Sequence, residues 1–164
     1  MRLSAPEPLR ADHDLSTFEC GEPSLDDWLR RRALTNQLNG ASRTFVVLDD
    51  TPRVMGYYAL AVGAVSHERA TGGVRRNMPD PIPVLVLGRL AVAHAAQGQR
   101  LGAALLKDAV LRAMVVSENA GVRALLVHAL NDNAKAFYEH YGFQPSPMDP
   151  MTLMLRLQGH KSAR

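Results

Sequence analysis

The sequence is poor in cysteine, lysine and aromatic residues, and it lacks long apolar runs; each scarcity sets a class of protein aside. Cys20 is the only cysteine, so neither an intrachain disulfide nor a thiolate metal cluster can form. The histidines at 13, 67, 94, 128, 140 and 160 show no ligand spacing, and no metal is expected. No stretch approaches the roughly 18 apolar residues of a membrane span. Met1-Arg2-Leu3 leads into proline and acidic residues, unlike a secretory leader, so a cytoplasmic protein with no membrane partner is expected. No Gly-Lys-Ser/Thr ending closes a glycine loop, and no G-x-G-x-x-G is present, which argues against triphosphate hydrolysis and dinucleotide binding.

What is present suits a packed core. The 164 residues are 46% apolar, enough for one domain over 1–164, with 159–164 expected as a flexible tail. Lysine occurs only at 107, 135 and 161, so arginine supplies nearly all the positive charge behind a net +3. Guanidinium groups grip phosphate in a bidentate way, although a GC-rich genome would also write such a composition.

The elements read in order. Prolines 6, 8 and 23 suit an edge strand near Leu9 and then a connection. Ser24 is expected to cap a helix that stops at Gly40, with Leu25, Trp28, Leu29 and Ala33 as the buried stripe. Arg32 falls on the edge of that stripe, whereas Arg30 and Arg31 point elsewhere. Residues 43–48 and 53–65 form a hairpin. Residues 66–82 read as a long irregular segment, either a solvated loop or a functional arm. A nearly continuous apolar strand over 83–92 is central, Gly88 marks a bulge or splay point, and helix 101–116, strand 123–130 and a helix from Asn131 to Gly142 follow. Residues 152–157 close the sheet.

The chemistry centres on the stretch Val84 to Leu106: strand, small-residue loop with Gly98 and Gly102, then a helix start. Such a helix start offers unpaired N–H groups and a positive dipole end to an anion. Read together, LAVAHAAQGQRLGAALL (Leu90 to Leu106) and NDNAKAFYEHYGF (Asn131 to Phe143) resemble the acetyl-CoA motifs of the GNAT-type N-acetyltransferase superfamily. The resemblance implies an α/β (α+β) fold: a mixed, mostly antiparallel sheet of six to seven strands, splayed at the cofactor site and flanked by about four helices. It implies that backbone groups of Leu90, Ala91 and Val92 pair with the pantetheine arm. The amides of Gln97, Gly98, Gln99, Arg100, Leu101, Gly102 and Ala103 would hold the pyrophosphate, with Asn131 and Ala134 contacting the cofactor further along. Tyr138 takes the place of the acid that protonates the departing CoA thiolate; Tyr141 is the weaker candidate, and a core aromatic is the alternative for either. Cys20 is expected to pack rather than attack. Arg100 stands where a glycine is usual, and since positive φ is costly for Arg, residue 100 is expected outside the left-handed region.

A narrower resemblance covers Phe18 to Val47, Gly88 to Val92 and Ala136 to Phe143, which are similar to the acetyltransferase toxins of type II toxin-antitoxin modules. It implies acetylation of the α-amino group of aminoacyl-tRNA, arrest of translation, a homodimer and a ribbon-helix-helix antitoxin. An α-amino group has a pKa near 8, so part of it is neutral at physiological pH and a dedicated base is less needed. Glu68, His67 and His94 are the base candidates, none compelling. Arg30, Arg31, Arg32, Arg43, Arg75 and Arg76 are candidates for tRNA phosphates. The alternatives are a GNAT enzyme acting on a small amine or protein N-terminus, and a non-catalytic acyl-CoA-binding regulator.

Overall fold

The computed structural model describes residues 2–157, so the tail expected at 159–164 lies outside the described residues. One seven-stranded sheet has the order β1-β2-β3-β4-β5-β7-β6. Its strands are β1 (Glu7–Pro8), β2 (Arg43–Leu48), β3 (Val54–Val65), β4 (Ile82–Val92), β5 (Ala124–His128), β6 (Gln144–Pro145) and β7 (Thr152–Arg156). The pairs β1–β2, β2–β3, β5–β7 and β6–β7 are antiparallel, and β4–β5 is parallel. The described residues of 1–61 and 88–109 form one compact unit, and those of 62–87 and 110–164 another.

In the first unit, α1 (Pro23–Trp28) continues through a wider turn at Leu29–Ala33 into α2 (Leu34–Asn39), which stops at Gly40 with φ 78°. The expected Ser24 cap is not formed. Pro23 takes the first helical position, where its missing N–H costs nothing, and Glu22 stands before it without a side-chain cap. Asp26 instead turns back and accepts from the Cys20 amide at 3.0 Å. The wide turn also rotates the stripe: Leu29 and Ala33 are buried, but Arg32 is exposed rather than at the edge of the stripe. Tyr57 fills the space beneath, stacked on Trp28 at 6.0 Å, edge-on to Phe18 at 5.5 Å, with its hydroxyl donating to the Leu25 carbonyl at 2.7 Å.

In the second unit, Val65, Ala70, Val74, Ile82, Val84, Ala124, Leu126 and Met154 make a core. The segment after β3 is not a free arm. It contains a short helix, α3 (Gly72–Arg75), and Arg123 donates to the carbonyls of Val74, Gly73 and Arg76 at 3.1–3.3 Å. His67 Nε2 meets the carbonyls of Met78 and Pro79 at 2.8 and 2.9 Å. Those bonds satisfy backbone groups that an irregular segment leaves unpaired.

Candidate active site

Helix α4 (Leu101–Asn119) begins where the anion seat was expected, and a small residue on β3 sets its position. A Cβ on Gly56 would lie 3.0 Å from Leu101 Cδ2 and 3.1 Å from Leu105 Cδ1, so only glycine lets the first turns of α4 pack this closely. Leu101, Leu105 and Ala109 are buried against that surface. The loop before it is made by two positive-φ residues, Gly98 at 84° and Arg100 at 60°. Arg100 is therefore left-handed, contrary to the expectation from its side chain. Its carbonyl accepts from the Ala104 amide at 3.2 Å, so it stands immediately before the helix and the turn must reverse there.

The reversal frees donors. Among the described residues, the amides of Gly98, Gln99 and Arg100 have no partner, and those of Leu101, Gly102 and Ala103 fall in the first helical turn, where none exists within the helix. The Gln97 amide does not join them: it donates to the His94 carbonyl at 3.2 Å, closing the turn His94–Ala96. The Gln97 side chain ties the loop down through the carbonyls of Cys20 and Val92, at 3.2 and 3.1 Å.

Strand β4 supplies an edge beside this seat. Its register with β5 runs from Val84↔Ala124 to Leu87↔Val127, and β5 ends at His128. Arg89, Leu90, Ala91 and Val92 therefore outrun β5, which leaves main-chain groups for an extended ligand to pair with. A Cβ on Gly88 would meet nothing within 4 Å, so the departure point is open. Arg89 lies over the Trp28 ring at 4.4 Å, a pairing across distant sequence that no local pattern signals.

Helix α5 (Asp132–His140) is capped by Asn131, whose side-chain oxygen accepts from the Ala134 amide at 2.9 Å. That bond occupies the Ala134 amide and the Asn131 oxygen, leaving the Asn131 amide nitrogen to meet a ligand. Tyr138 is buried, with rings of Phe137 at 5.3 Å and Phe143 at 5.4 Å around it, and burial pushes its phenol up to about 12. It is thus fully protonated at neutral pH, and among the described residues its hydroxyl makes no hydrogen bond. Tyr141 is 44% exposed and packs edge-on to Phe137 and His140. Cys20 is held protonated: burial, then Asp26, raises its thiol to about 11, which suits packing and not attack.

The arginines divide by what they already hold. Arg30 donates to the Phe18 carbonyl at 2.6 Å and pairs with Asp27, and Arg43 donates to the Gln37 carbonyl at 2.8 Å. Arg31, Arg32, Arg75 and Arg76 are exposed, with side chains unpaired among the described residues. Of the base candidates, His67 is spent on loop carbonyls, while Glu68 and His94 are exposed. A histidine that composition and spacing did not single out, His128, lines a cavity of about 400 Å³ in the second unit. Among the described residues, no group of His, Cys, Asp and Glu is arranged to hold a metal.

The first unit carries an anion seat of free amides beside an open stretch of β4, and the second a buried, protonated phenol; residues 41–145 match the acetyltransferase (GNAT) domain family. The chain belongs to that family, and acetyl-CoA is its acyl donor. Over 155 residues, covering 94% of this chain and 93% of the relative, it is 53% identical to the tRNA-acetylating toxin of Mycobacterium tuberculosis (strain H37Rv). Its fold superposes with TM-score 0.86 on AtaT complexed with acetyl-methionyl-tRNAfMet, at 30% identity, covering 94% of this chain and 95% of that one. It also superposes with TM-score 0.80 on a tyrosine-to-phenylalanine AtaT variant bound to the C-terminus of the antitoxin AtaR and acetyl-CoA, at 33% identity, covering 94% and 92%.

Proposed function

We propose that this protein is a toxin that moves the acetyl group of acetyl-CoA to the α-amino group of aminoacyl-tRNA and so blocks translation. The observation that carries the reading is the 53% identity, along nearly the whole chain, to a tRNA-acetylating toxin. The described residues support it with the donors and the acid that the reaction needs.

The amides of Gly98 to Ala103, at the positive end of α4, hold the pyrophosphate, and the Arg100 guanidinium adds a phosphate contact. The main chain of Leu90 to Val92 pairs with the pantetheine arm and orients the thioester. Bound acetyl-CoA supplies an acyl carbon activated for attack by a neutral amine. Tyr138 gives its proton to the departing sulfur and is catalytic, and the Asn131 side-chain amide contacts the cofactor. Arg31, Arg32, Arg75 and Arg76, with guanidinium groups free, take tRNA phosphates, and Arg30 and Arg43 do so more weakly because carbonyls already hold them. The two units act as one N-acetyltransferase domain; the family match at 41–145 includes residues of both.

The partner that holds the toxin in check is a ribbon-helix-helix antitoxin; AtaT bound to the C-terminus of the antitoxin AtaR supports an antitoxin partner. The active form is a cytoplasmic homodimer. Leu111 and Val115, one turn apart on α4 and 52% and 58% exposed, offer apolar surface for a second copy. Among the described residues no helix is long and apolar enough to cross a membrane. Incubating the protein with acetyl-CoA and a pool of charged tRNA, then analysing the aminoacyl group, tests the reading. N-acetylation of one or more aminoacyl-tRNAs is expected, and its absence across the whole pool refutes it.

A further inference from the structure

The cavity lined by His128 holds a hydrogen-bonded chain that the mechanism above does not use. His128 and Thr152 are cross-strand partners in the β5–β7 register. His128 Nδ1 lies 2.9 Å from Thr152 Oγ1, and the Thr152 hydroxyl donates to Asp149 Oδ2 at 2.7 Å. Asp149 is fixed in turn, its other oxygen accepting from the Met151 amide at 3.1 Å and its own amide donating to Ser146 Oγ at 3.3 Å.

This order of bonds decides the imidazole tautomer. A hydroxyl has one proton, and Thr152 gives it to a carboxylate; its oxygen can then only accept from His128, so the proton of the neutral ring sits on Nδ1. The Thr152 hydroxyl, then the Met151 amide, hold the Asp149 carboxyl below its usual range despite some desolvation, with His128 and Arg69 adding to the effect, so Asp149 is an ionised acceptor at neutral pH. Nε2 is left with its lone pair, and His128 is exposed to solvent. A base within reach of its proton, with its other nitrogen held by an oriented acceptor, is the arrangement that general-base catalysis uses.

Among the described residues, the charged side chains lining the cavity are Asp149 and Arg69, and the Arg69 guanidinium favours an amine in its neutral form over the ammonium; β3, β4 and β5 contribute Val65, Val86 and Leu126 to its walls. A volume of about 400 Å³ admits an aminoacyl group. His128 also lies three residues before Asn131, which caps the helix carrying Tyr138.

We propose that this cavity receives the α-amino end of the acceptor, with His128 Nε2 as the base that takes its ammonium proton and with Thr152 and Asp149 as positioning residues. The inference rests on the acceptor being an α-amine, as in the function proposed above. The acceptor ammonium loses one proton to Nε2, which passes it to solvent. The nitrogen then bonds to the acyl carbon as the carbon–sulfur bond breaks, and the second nitrogen proton balances the one that Tyr138 gives to sulfur. The products are the acetamide, the free thiol and one released proton.

The magnitude follows from the free amine. With a pKa of about 8 it is only about one-tenth neutral at pH 7 and almost wholly neutral at pH 9. His128→Gln is therefore expected to lose about tenfold in kcat/KM at pH 7 and less than about twofold at pH 9, with acetyl-CoA affinity unchanged. Thr152→Val should lose activity in the same pH-dependent way, and Thr152→Ser, which keeps the hydroxyl, should restore it. Independently of activity, ¹⁵N NMR of the imidazole should show the Nδ1–H tautomer in the wild type and lose that preference in Thr152→Val. A His128→Gln loss that is the same at pH 7 and pH 9, no loss at pH 7, or an Nε2–H tautomer in the wild type overturns the proposal. Running charged tRNA beside glycinamide separates the two readings. If only glycinamide is acetylated and the pH-dependent loss persists, the tRNA assignment fails and the base stands. If tRNA is acetylated and His128→Gln costs nothing, the base fails alone.

Discussion

Arg100 sits in a conformation that its side chain disfavours, and that conflict is measurable. At φ 60° it occupies the left-handed region, which costs a residue bearing a Cβ about 1–2 kcal/mol. Glycine removes the cost but adds about 0.4–1 kcal/mol of backbone entropy to the unfolded chain. Arg100→Gly should therefore gain about 1 kcal/mol, a rise of about 2–4 °C in Tm for a chain of this size. Arg100→Ala keeps the Cβ and its cost, so its Tm should stay within about 1 °C of the wild type. Both substitutions remove the guanidinium. For an exposed group a contact with the pyrophosphate is worth about 1 kcal/mol, or roughly fivefold in Kd. Thermal unfolding of the two variants beside calorimetric titration with acetyl-CoA separates the contributions: Tm should distinguish glycine from alanine, while Kd should weaken about equally in both. A lower Tm for Arg100→Gly would refute the strain argument. An unchanged Kd in both variants would show that residue 100 serves the phosphates by its amide alone.

The remaining expectations concern the acid, the charge and a turn. Tyr138→Phe should lower kcat by about 10²-fold or more with acetyl-CoA affinity retained, measured by thiol release. It should also flatten the alkaline limb of a stability curve. A phenol that titrates near 12 when folded and near 10 when unfolded contributes stability that is complete below pH 10 and lost as pH rises toward 12; Tyr57, likewise raised by burial, keeps part of that loss. Substituting Glu at Arg31 and Arg32 should weaken charged-tRNA binding without altering acetyl-CoA affinity, and should flatten the slope of log K against log salt by about 0.7–0.9 for each phosphate no longer neutralised. In the β2–β3 turn, burial works against ionisation of Asp49, but the amides and side chains of Thr51 and Arg53 outweigh it and bring the carboxyl to about 2. Asp49→Asn should therefore lower Tm at pH 7, and it should lack the wild type's loss of stability as pH falls from about 4 toward 2.

Much of the site was legible because its parts are short-range. A strand, a small-residue loop and a helix start are continuous over Val84 to Leu106, and the capping Asn131 stands three residues before the amide that it accepts from, so local periodicity and spacing are enough to place them. Two motifs in order then carried the family, since each needs only its own backbone conformation. Legibility stopped where tertiary contact overrules local preference. Side-chain sterics argue against positive φ at Arg100, yet Leu101 and Leu105 packed over Gly56 fix the helix start, and the loop must reverse at the residue before it. The stripe from Leu25 to Ala33 assumed an even helical period, and the wide turn at Leu29–Ala33 moved Arg32 off it.

The sequence by itself determined the family, through two local motifs in order, and that its single cysteine closes no intrachain disulfide. Only the tertiary structure decided which amides are free and which histidine is oriented. Gln97 and Ala134 look like donors until their amides are seen to close a turn and a cap. His128 looks idle until the β5–β7 register sets it opposite Thr152. The physical reason is that a hydrogen bond belongs to two groups at once, and a linear pattern shows which groups exist but not which of them have already found each other.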